Sequence, residues 1–473
     1  MGTIASSGST IVTAKTGRFR RRIALGSVAL VVLLAGGGVA LAGGLGGGGE
    51  STATGTVTVP DAELPELGEV TPVLASLDSA APALDPAVLA ARLQPLLAAP
   101  GLGTGVSAEV LDVATGEVLL GLDADDPSVP ASTAKLLTAV AALTTIDPSE
   151  TLPTTVVAGA APGEVVLVGG GDPTLSRTSP SQTYSGAPTV ADLAAQVVAA
   201  LPAGTTVTRV VVDSSLFTGP LTAAGWGPAD APSSYAAPIT ATAVDGARVS
   251  PGSQARSGQP GIDAGAALAD ALGAPRATVV LGEAPAGAKT LGTVQSAPVA
   301  RLVEQMLSMS DNVLAEALAR HVALARDLPA SFEGAADAVV AALSDAGVGT
   351  GGVDLSDGSG LSRLNQVPAG VLTEVVAGAA DGSIPGASAL LSGLPVAGYD
   401  GTLFDRGDAA TAPGAVRAKT GTLLGVHALA GTTVTADGRL LAFAVLADGS
   451  GSEAAAEDAL DDVAAALAAC GCR

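Results

Sequence analysis

Apolar positions fall at helical spacing in PAVLAARLQPLL, from Pro86 to Leu97, which predicts a first helix. Two alternating runs follow, GVSAEVLDV and EVLLGLD, joined by Ala114-Thr115-Gly116 in the manner of a hairpin. The chain then enters an apolar helix at Ser132. Near the other end GVHALAGTTV and LLAFAVLAD flank Ala436-Asp437-Gly438 as a second strand pair, and a closing helix runs from about Glu453 to Ala469. Strands at both ends with helices between them predict one antiparallel sheet in an α+β layout.

The rhythm changes inside this frame. Between about 150 and 290, short β-like runs (TTVVAGA, EVVLVGG, RVVVDSS, ATVVLG) alternate with Gly, Pro and Ser turns, with a helix near 190–201. An inserted β-rich module over 150–290 is expected, leaving 85–149 and 291–473 as the main domain. Ahead of it, residues 43–84 are rich in Gly, Thr, Pro and Ala and read as a flexible linker. Residues 23–42 carry no charge and follow a basic tail, 1–22, that ends in Arg20, Arg21 and Arg22. At about 1.5 Å per residue such a stretch crosses a hydrocarbon core of roughly 30 Å. The basic flank keeps the tail cytoplasmic, so the remainder is expected outside the plasma membrane, anchored there or released to the wall by cleavage after Ala42.

Charge and composition narrow the classes of function. Among 473 residues, 45 are acidic and 22 basic, for a formal charge of −23, and only 2% are aromatic. A polyanion with few stacking rings is not a nucleic-acid binder. With 48% apolar and 14% charged residues, wholesale disorder is excluded. Cys470 and Cys472 are too few for a zinc site, and a bond between residues two apart is expected to be strained. No cofactor and no metal are expected.

Three short motifs carry chemistry. Ser132-Thr133-Ala134-Lys135 heads the helix STAKLLTAVAAL, where positions three apart share a face, so the Lys135 amine can reach the Ser132 hydroxyl. The helix is apolar all round, and burial lowers a lysine pKa, as a general base for a serine requires. Read alone, the motif equally suits a capping serine and an exposed lysine. Ser310-Asp311-Asn312 lies between two helical patterns, where Ser310 can relay a proton and Asn312 can hold an amide; a plain helix cap is the bland reading. Lys419-Thr420-Gly421-Thr422 precedes the strand GVHALAG, with Lys419 and Gly421 on one face and Thr420 and Thr422 on the other. The bare glycine lets a substrate backbone lie close. The chain has four lysines (Lys15, Lys135, Lys289 and Lys419), and two of them fall in these motifs.

In this order the motifs resemble the serine penicillin-recognising enzymes. The remainder resembles their class C low-molecular-mass branch, the D-alanyl-D-alanine carboxypeptidase/endopeptidases. The likeness rests on the long interval from Ser132 to Ser310 and on the strings VGGGDPTL (168–175), DGSGLSR (357–363), and LPVAG (394–398) running into DGTL (400–403). The interval is short for that branch, which implies that one of its two inserted modules is missing or reduced. The resemblance implies a β-lactamase/transpeptidase-like antiparallel sheet flanked by helices. It implies Ser132 as acylated nucleophile, Lys135 as base, Ser310 as proton relay, Asn312 on the substrate amide, and Lys419 with Thr420 at the terminal carboxylate, with Gly421 beside them in substrate binding. The N–H groups of Ser132 and Thr422 would form the oxyanion hole, and Trp226, Asp230, Tyr235 and Arg363 the pocket for a diaminopimelate side chain. The partners so implied are peptidoglycan peptides and β-lactams. Two competitors are a β-lactamase, which would need a deacylating glutamate in a loop where 313–360 offers only Glu316 and Glu333 in helix-like contexts, and a noncatalytic cell-wall-binding protein. Turnover of a cephalosporin and release of D-Ala distinguish the three.

Overall fold

The computed structural model describes residues 81–406 and 412–471. The predicted basic tail, the apolar stretch 23–42 and nearly all of the linker lie outside them. Among the described residues no helix is long and apolar enough to cross a membrane.

In chain order the elements are α1 (Pro86–Leu97), β1 (Gly105–Asp112), β2 (Val118–Leu122), α2 (Lys135–Thr145), β3 (Pro153–Ala158), β4 (Glu164–Gly169), α3 (Val190–Ala200), β5 (Arg209–Asp213), α4 (Pro260–Ala271), β6 (Thr278–Leu281), β7 (Thr290–Gln295), α5 (Val299–Met309), α6 (Asn312–Ala325), α7 (Phe332–Asp345), α8 (Ala369–Asp381), α9 (Ala389–Gly393), β8 (Val416–Leu423), β9 (Val426–Val434), β10 (Leu440–Asp448) and α10 (Glu453–Ala468). The main sheet is antiparallel, ordered β2-β1-β10-β9-β8, so strands from both ends of the chain meet at the β1–β10 pairing. This is the α+β sheet that the alternating runs predict.

Strand period explains how one sheet serves two cores. Along β10, Leu441, Phe443 and Val445 pack with α1 and α10 on one face. Ala442, Ala444 and Leu446 face the other way, into the core made with α2 and α5–α8. Small residues on that second face let the buried α8 lie close.

The second sheet is ordered β6-β5-β4-β3-β7 and is mixed rather than simply β-rich. β3 pairs antiparallel with β4 and β7, whereas β4–β5 and β5–β6 are parallel. Parallel neighbours need crossovers, and α3 and α4 supply them. Composition hides α4: PGIDAGAALADA has small residues where a stronger apolar stripe would announce a helix. At Gly265 an added Cβ would stand 2.5 Å from Val279 and 2.6 Å from Val212, so the glycine is what allows the helix onto the sheet.

The helix expected at Ser132 starts later. Residues Ala131–Ala134 form a 3₁₀ turn, and the α-helix begins at Lys135. Cys470, buried after α10, is disulfide-bonded.

Candidate active site

The turn that carries Ser132 is over-determined by its surroundings. Ala131 has φ 47°, in the left-handed region, where a non-glycine residue is unfavourable unless held. The Thr133 hydroxyl donates to Pro130 O at 2.6 Å. Gly360 packs so tightly on Ala131 that a Cβ there would lie 1.8 Å from the Ala131 carbonyl oxygen. Ser132 is thereby left half-buried at the head of α2, with Lys135 fully enclosed one turn on.

Lys135 Nζ lies 2.9 Å from Ser132 Oγ, 2.5 Å from Asn312 Oδ1 and 2.6 Å from Ser359 O. The contact with Asn312 joins residues 177 apart in the chain. Burial pushes the amine down to about 8, against the pull of Asp357, Glu316 and Asp311, which favour the ammonium. A neutral amine has two N–H donors and one lone pair. The two carbonyl-type oxygens, Asn312 Oδ1 and Ser359 O, account for the donors, and the lone pair is left for the Ser132 hydroxyl proton.

Ser310-Asp311-Asn312 forms the corner between α5 and α6. Ser310 caps α5 in the left-handed conformation, φ 52° and ψ 40°. Asp311 caps α6, accepting from the N–H groups of Val313 at 3.0 Å and Leu314 at 3.2 Å. The bland reading is therefore correct for Asp311, while Asn312 turns its carboxamide to Lys135. The other Asp311 oxygen accepts from Tyr184 Oη at 2.7 Å, Arg256 Nη2 at 3.1 Å and Arg248 Nη2 at 3.3 Å. Burial alone would raise this carboxyl, but Arg256, Arg248 and the Tyr184 hydroxyl hold it well below the usual range.

Strand β8 is an edge of the main sheet and carries the third motif. Lys419 and Gly421 are buried, Thr420 is half-buried and Thr422 exposed, as alternation requires. At Gly421 a Cβ would meet Pro130 O at 2.8 Å and Ala131 Cβ at 3.1 Å, so the bare backbone is what lets β8 approach the Ser132 turn. The Ala418 N–H leaves the outer edge to donate to Pro395 O at 3.0 Å. By the two-residue period, the N–H groups of Thr420 and Thr422 also point off that edge, where an extended peptide can pair as an added strand. Lys419 Nζ donates to Thr420 O at 2.9 Å. Burial, then the neighbouring Lys135, drive its pKa well below the ordinary lysine value. An anion brought against it would supply the counter-charge that restores the ammonium.

The model of the D-Ala-D-Ala carboxypeptidase 3 (S13) family matches residues 89–260 and 252–470. The chain belongs to this family. It is 43% identical over 392 residues to Carboxypeptidase Rv3627c of Mycobacterium tuberculosis, covering 81% of this chain and 84% of the relative. It is 42% identical over 425 residues to Carboxypeptidase DacB of Mycolicibacterium smegmatis, covering 88% and 90%. The structure of penicillin binding protein 4 (dacB) from Haemophilus influenzae superposes with a TM-score of 0.66 at 22% identity, over 80% of this chain and 98% of that one, a likeness of fold.

The four residues expected at a side-chain pocket are placed less uniformly than the family motifs. Trp226 donates from Nε1 to Asp357 Oδ2 at 2.7 Å and meets Phe332 edge-on at 5.4 Å, so its ring is anchored. Asp230 accepts the Gly227 N–H at 2.6 Å and closes its own turn. Tyr235 is 64% exposed, and its carbonyl accepts from Asn312 Nδ2 at 3.3 Å. Arg363, also exposed, donates to Leu424 O at 2.7 Å and straps the 354–366 loop to the β8–β9 turn. No hydrogen bond or ion pair joins these four side chains to one another among the described residues.

Several contacts at the site lie beyond the sequence reading, which takes Asp357 only as part of the string 357–363. Asp357 is buried and accepts from Trp226, the Gly360 N–H at 2.7 Å, the Ser362 N–H at 2.6 Å and Asn365 Nδ2 at 2.8 Å, which shapes the loop that delivers the Ser359 carbonyl. A carbonyl contact has no signature in residue type. Tyr184, Arg248 and Arg256 come from the stretch between α2 and α5 and bear on Asp311 only through the tertiary fold. Glu333 is exposed in the first turn of α7. Glu316 is fully enclosed on α6, with both oxygens on loop N–H groups.

Proposed function

We propose that this D-Ala-D-Ala carboxypeptidase works through an acyl-enzyme on Ser132. The neutral Lys135 amine takes the Ser132 proton as Oγ attacks the carbonyl of the penultimate D-Ala in a peptidoglycan stem peptide. The oxyanion that forms is stabilised by the Ser132 and Thr422 N–H groups, each such donor worth on the order of 10²–10³ in rate. The proton passes by way of Ser310 to the departing D-Ala amine, and the C–N bond breaks. Water then attacks the ester under the same base, regenerating Ser132 and releasing the shortened peptide. Asn312 holds the substrate amide, and Lys419 with Thr420 and Gly421 receives the terminal carboxylate, whose charge offsets the cost of a buried ammonium. A D-Ala–diaminopimelate crosslink presents the same amide, so DD-endopeptidase activity uses the same groups, with Trp226, Asp230, Tyr235 and Arg363 at the distal side chain. A β-lactam carbonyl acylates Ser132 in the same way.

The observation that carries this reading is the 2.9 Å approach of Lys135 Nζ to Ser132 Oγ, with Asn312 Oδ1 on the same nitrogen. Ser132→Ala is expected to abolish both covalent labelling by a fluorescent penicillin and release of D-Ala from a pentapeptide. Labelling that persists in the alanine variant refutes the assignment. We further propose that residues 23–42 hold the enzyme at the outer face of the plasma membrane. Recovery of the full chain in the soluble fraction of lysed cells, without cleavage after Ala42, would refute that anchor.

A further inference from the structure

Two consecutive residues of the 354–366 loop, Gly358 and Ser359, are gripped from both sides. On one side the Glu316 carboxylate accepts the Ser359 N–H at 2.9 Å and the Gly358 N–H at 3.3 Å. On the other side α2 donates to both carbonyls, Thr138 Oγ1 to Gly358 O at 2.6 Å and Lys135 Nζ to Ser359 O at 2.6 Å. The loop is pressed onto α6 at this point, since a Cβ on Gly358 would stand 2.5 Å from Ala319 Cβ.

The lone pair of a neutral Lys135 points wherever its two N–H bonds do not. One of those bonds goes to Asn312 Oδ1 and the other to Ser359 O, so the position of the Ser359 carbonyl helps set the direction of the lone pair. Glu316 holds the N–H of the residue that bears that carbonyl, while Asp357 Oδ1 accepts the Gly360 N–H of the carbonyl's own peptide unit at 2.7 Å. We propose that Glu316 is a positioning residue for acylation, aiming the Lys135 lone pair at the Ser132 hydroxyl by fixing the backbone of Ser359. This rests on Lys135 being the base. Glu316 itself is fully enclosed, and among the described residues its carboxylate hydrogen bonds go to Gly358, Ser359 and Arg320, not to Ser132.

Its charge acts on the same amine. The charged groups facing Lys135 are Glu316 and Asp311 from α6 and its cap, Asp357 from the loop, Arg256 from the stretch between α2 and α5 and Lys419 from β8. Removing one of the three anions weakens the hold on the ammonium, so the neutral form appears at lower pH.

The test is the second-order rate of Ser132 acylation by penicillin, followed from neutral to alkaline pH on the full chain. Glu316→Gln loses one acceptor and the charge. Its alkaline plateau is expected to fall on the order of tenfold, because the base is misaimed, and its rise to begin at lower pH. Glu316→Asp keeps the charge but is one methylene short, so its plateau falls while the rise stays in place. A carboxylate that only supports the fold would lower the thermal midpoint and leave both plateau and rise unchanged, and that result overturns the proposal. Should Glu316→Gln not fold, the Glu316→Asp plateau decides alone, a wild-type value overturning the proposal. If Lys135→Met acylates at the wild-type rate, the assignment of the base is wrong. If it is inert while both Glu316 variants match wild type, only the positioning role fails.

Discussion

Two buried carboxylates on one helix meet opposite fates. Asp311 caps α6 facing Tyr184, Arg248 and Arg256, and Glu316 lies farther along toward the 354–366 loop; they are 2% and 0% exposed. Asp311 has two guanidinium groups, a phenol and two backbone N–H groups around it, and it is held well below the ordinary carboxylate range. Glu316 has two backbone N–H groups and one distant guanidinium, Arg320 at 3.4 Å, and burial with help from Asp357 pushes it up to about 7. Arg320 gives most of itself elsewhere, its guanidinium lying 4.0 Å over Phe332 and 5.4 Å over Phe217. Burial alone does not decide the charge of an acid. What decides it is how many cationic donors the fold brings to the same oxygens.

The contrast can be broken most directly at Asp311. Asp311→Asn keeps a helix cap but strands two buried arginines, and is expected to cost about 3–5 kcal/mol in urea unfolding. Glu316→Gln is expected to cost about 1–2 kcal/mol, the loss of one hydrogen bond offset by removal of a poorly paired charge. Equal losses would erase the distinction. Arg256→Met leaves Arg248 and Tyr184 on Asp311 and should cost about 2 kcal/mol by the same measurement.

The two acids should also respond to pH with opposite sign. The Asp311 contribution is present above the ordinary carboxylate value and is lost as pH falls through its depressed folded value. Glu316 is raised, so its contribution is full below its ordinary value and lost as pH rises through about 7. Unfolding free energies of wild type and Glu316→Gln should therefore diverge between weakly acidic and weakly alkaline pH, with wild type losing ground as pH rises; parallel curves would show that Glu316 is ionised throughout. Acylation by penicillin should climb with pH up to about 8, where Lys135 loses its proton, by roughly tenfold per unit below that point. The smallest expected effect is that of Tyr184→Phe, about 1 kcal/mol, since both arginines remain on Asp311.

Much of the fold is readable along the chain because its strands are short, alternating and flanked by turn residues, as in β1–β2 and β9–β10. Where composition is flat, reading fails: α4 is built of alanine and glycine, and β7 carries a glycine and two threonines rather than an apolar stripe. The site divides in the same way. Ser132 and Lys135 declare themselves because three positions along an apolar helix specify both neighbourhood and burial. The start of that helix is misplaced because the strained turn at Ala131 depends on contacts with Gly360 and Gly421, far along the chain. Trp226, Asp230 and Arg363 are named by residue chemistry alone, and their contacts with Asp357, the Gly227 N–H and Leu424 O are set by the fold.

The sequence by itself determined that the Lys135 amine lies within reach of the Ser132 hydroxyl, the order of the three motifs and the sheet joined from both ends. Those features follow from local spacing and side-chain type. Only the tertiary structure decided which oxygens engage the Lys135 N–H bonds, that the Ser359 carbonyl is one of them, and that Asp311 is ionised where Glu316 is poised near neutrality. Hydrogen-bond direction and charge in a buried site depend on desolvation and on partners tens to hundreds of residues away, and neither is written in any short stretch of the chain.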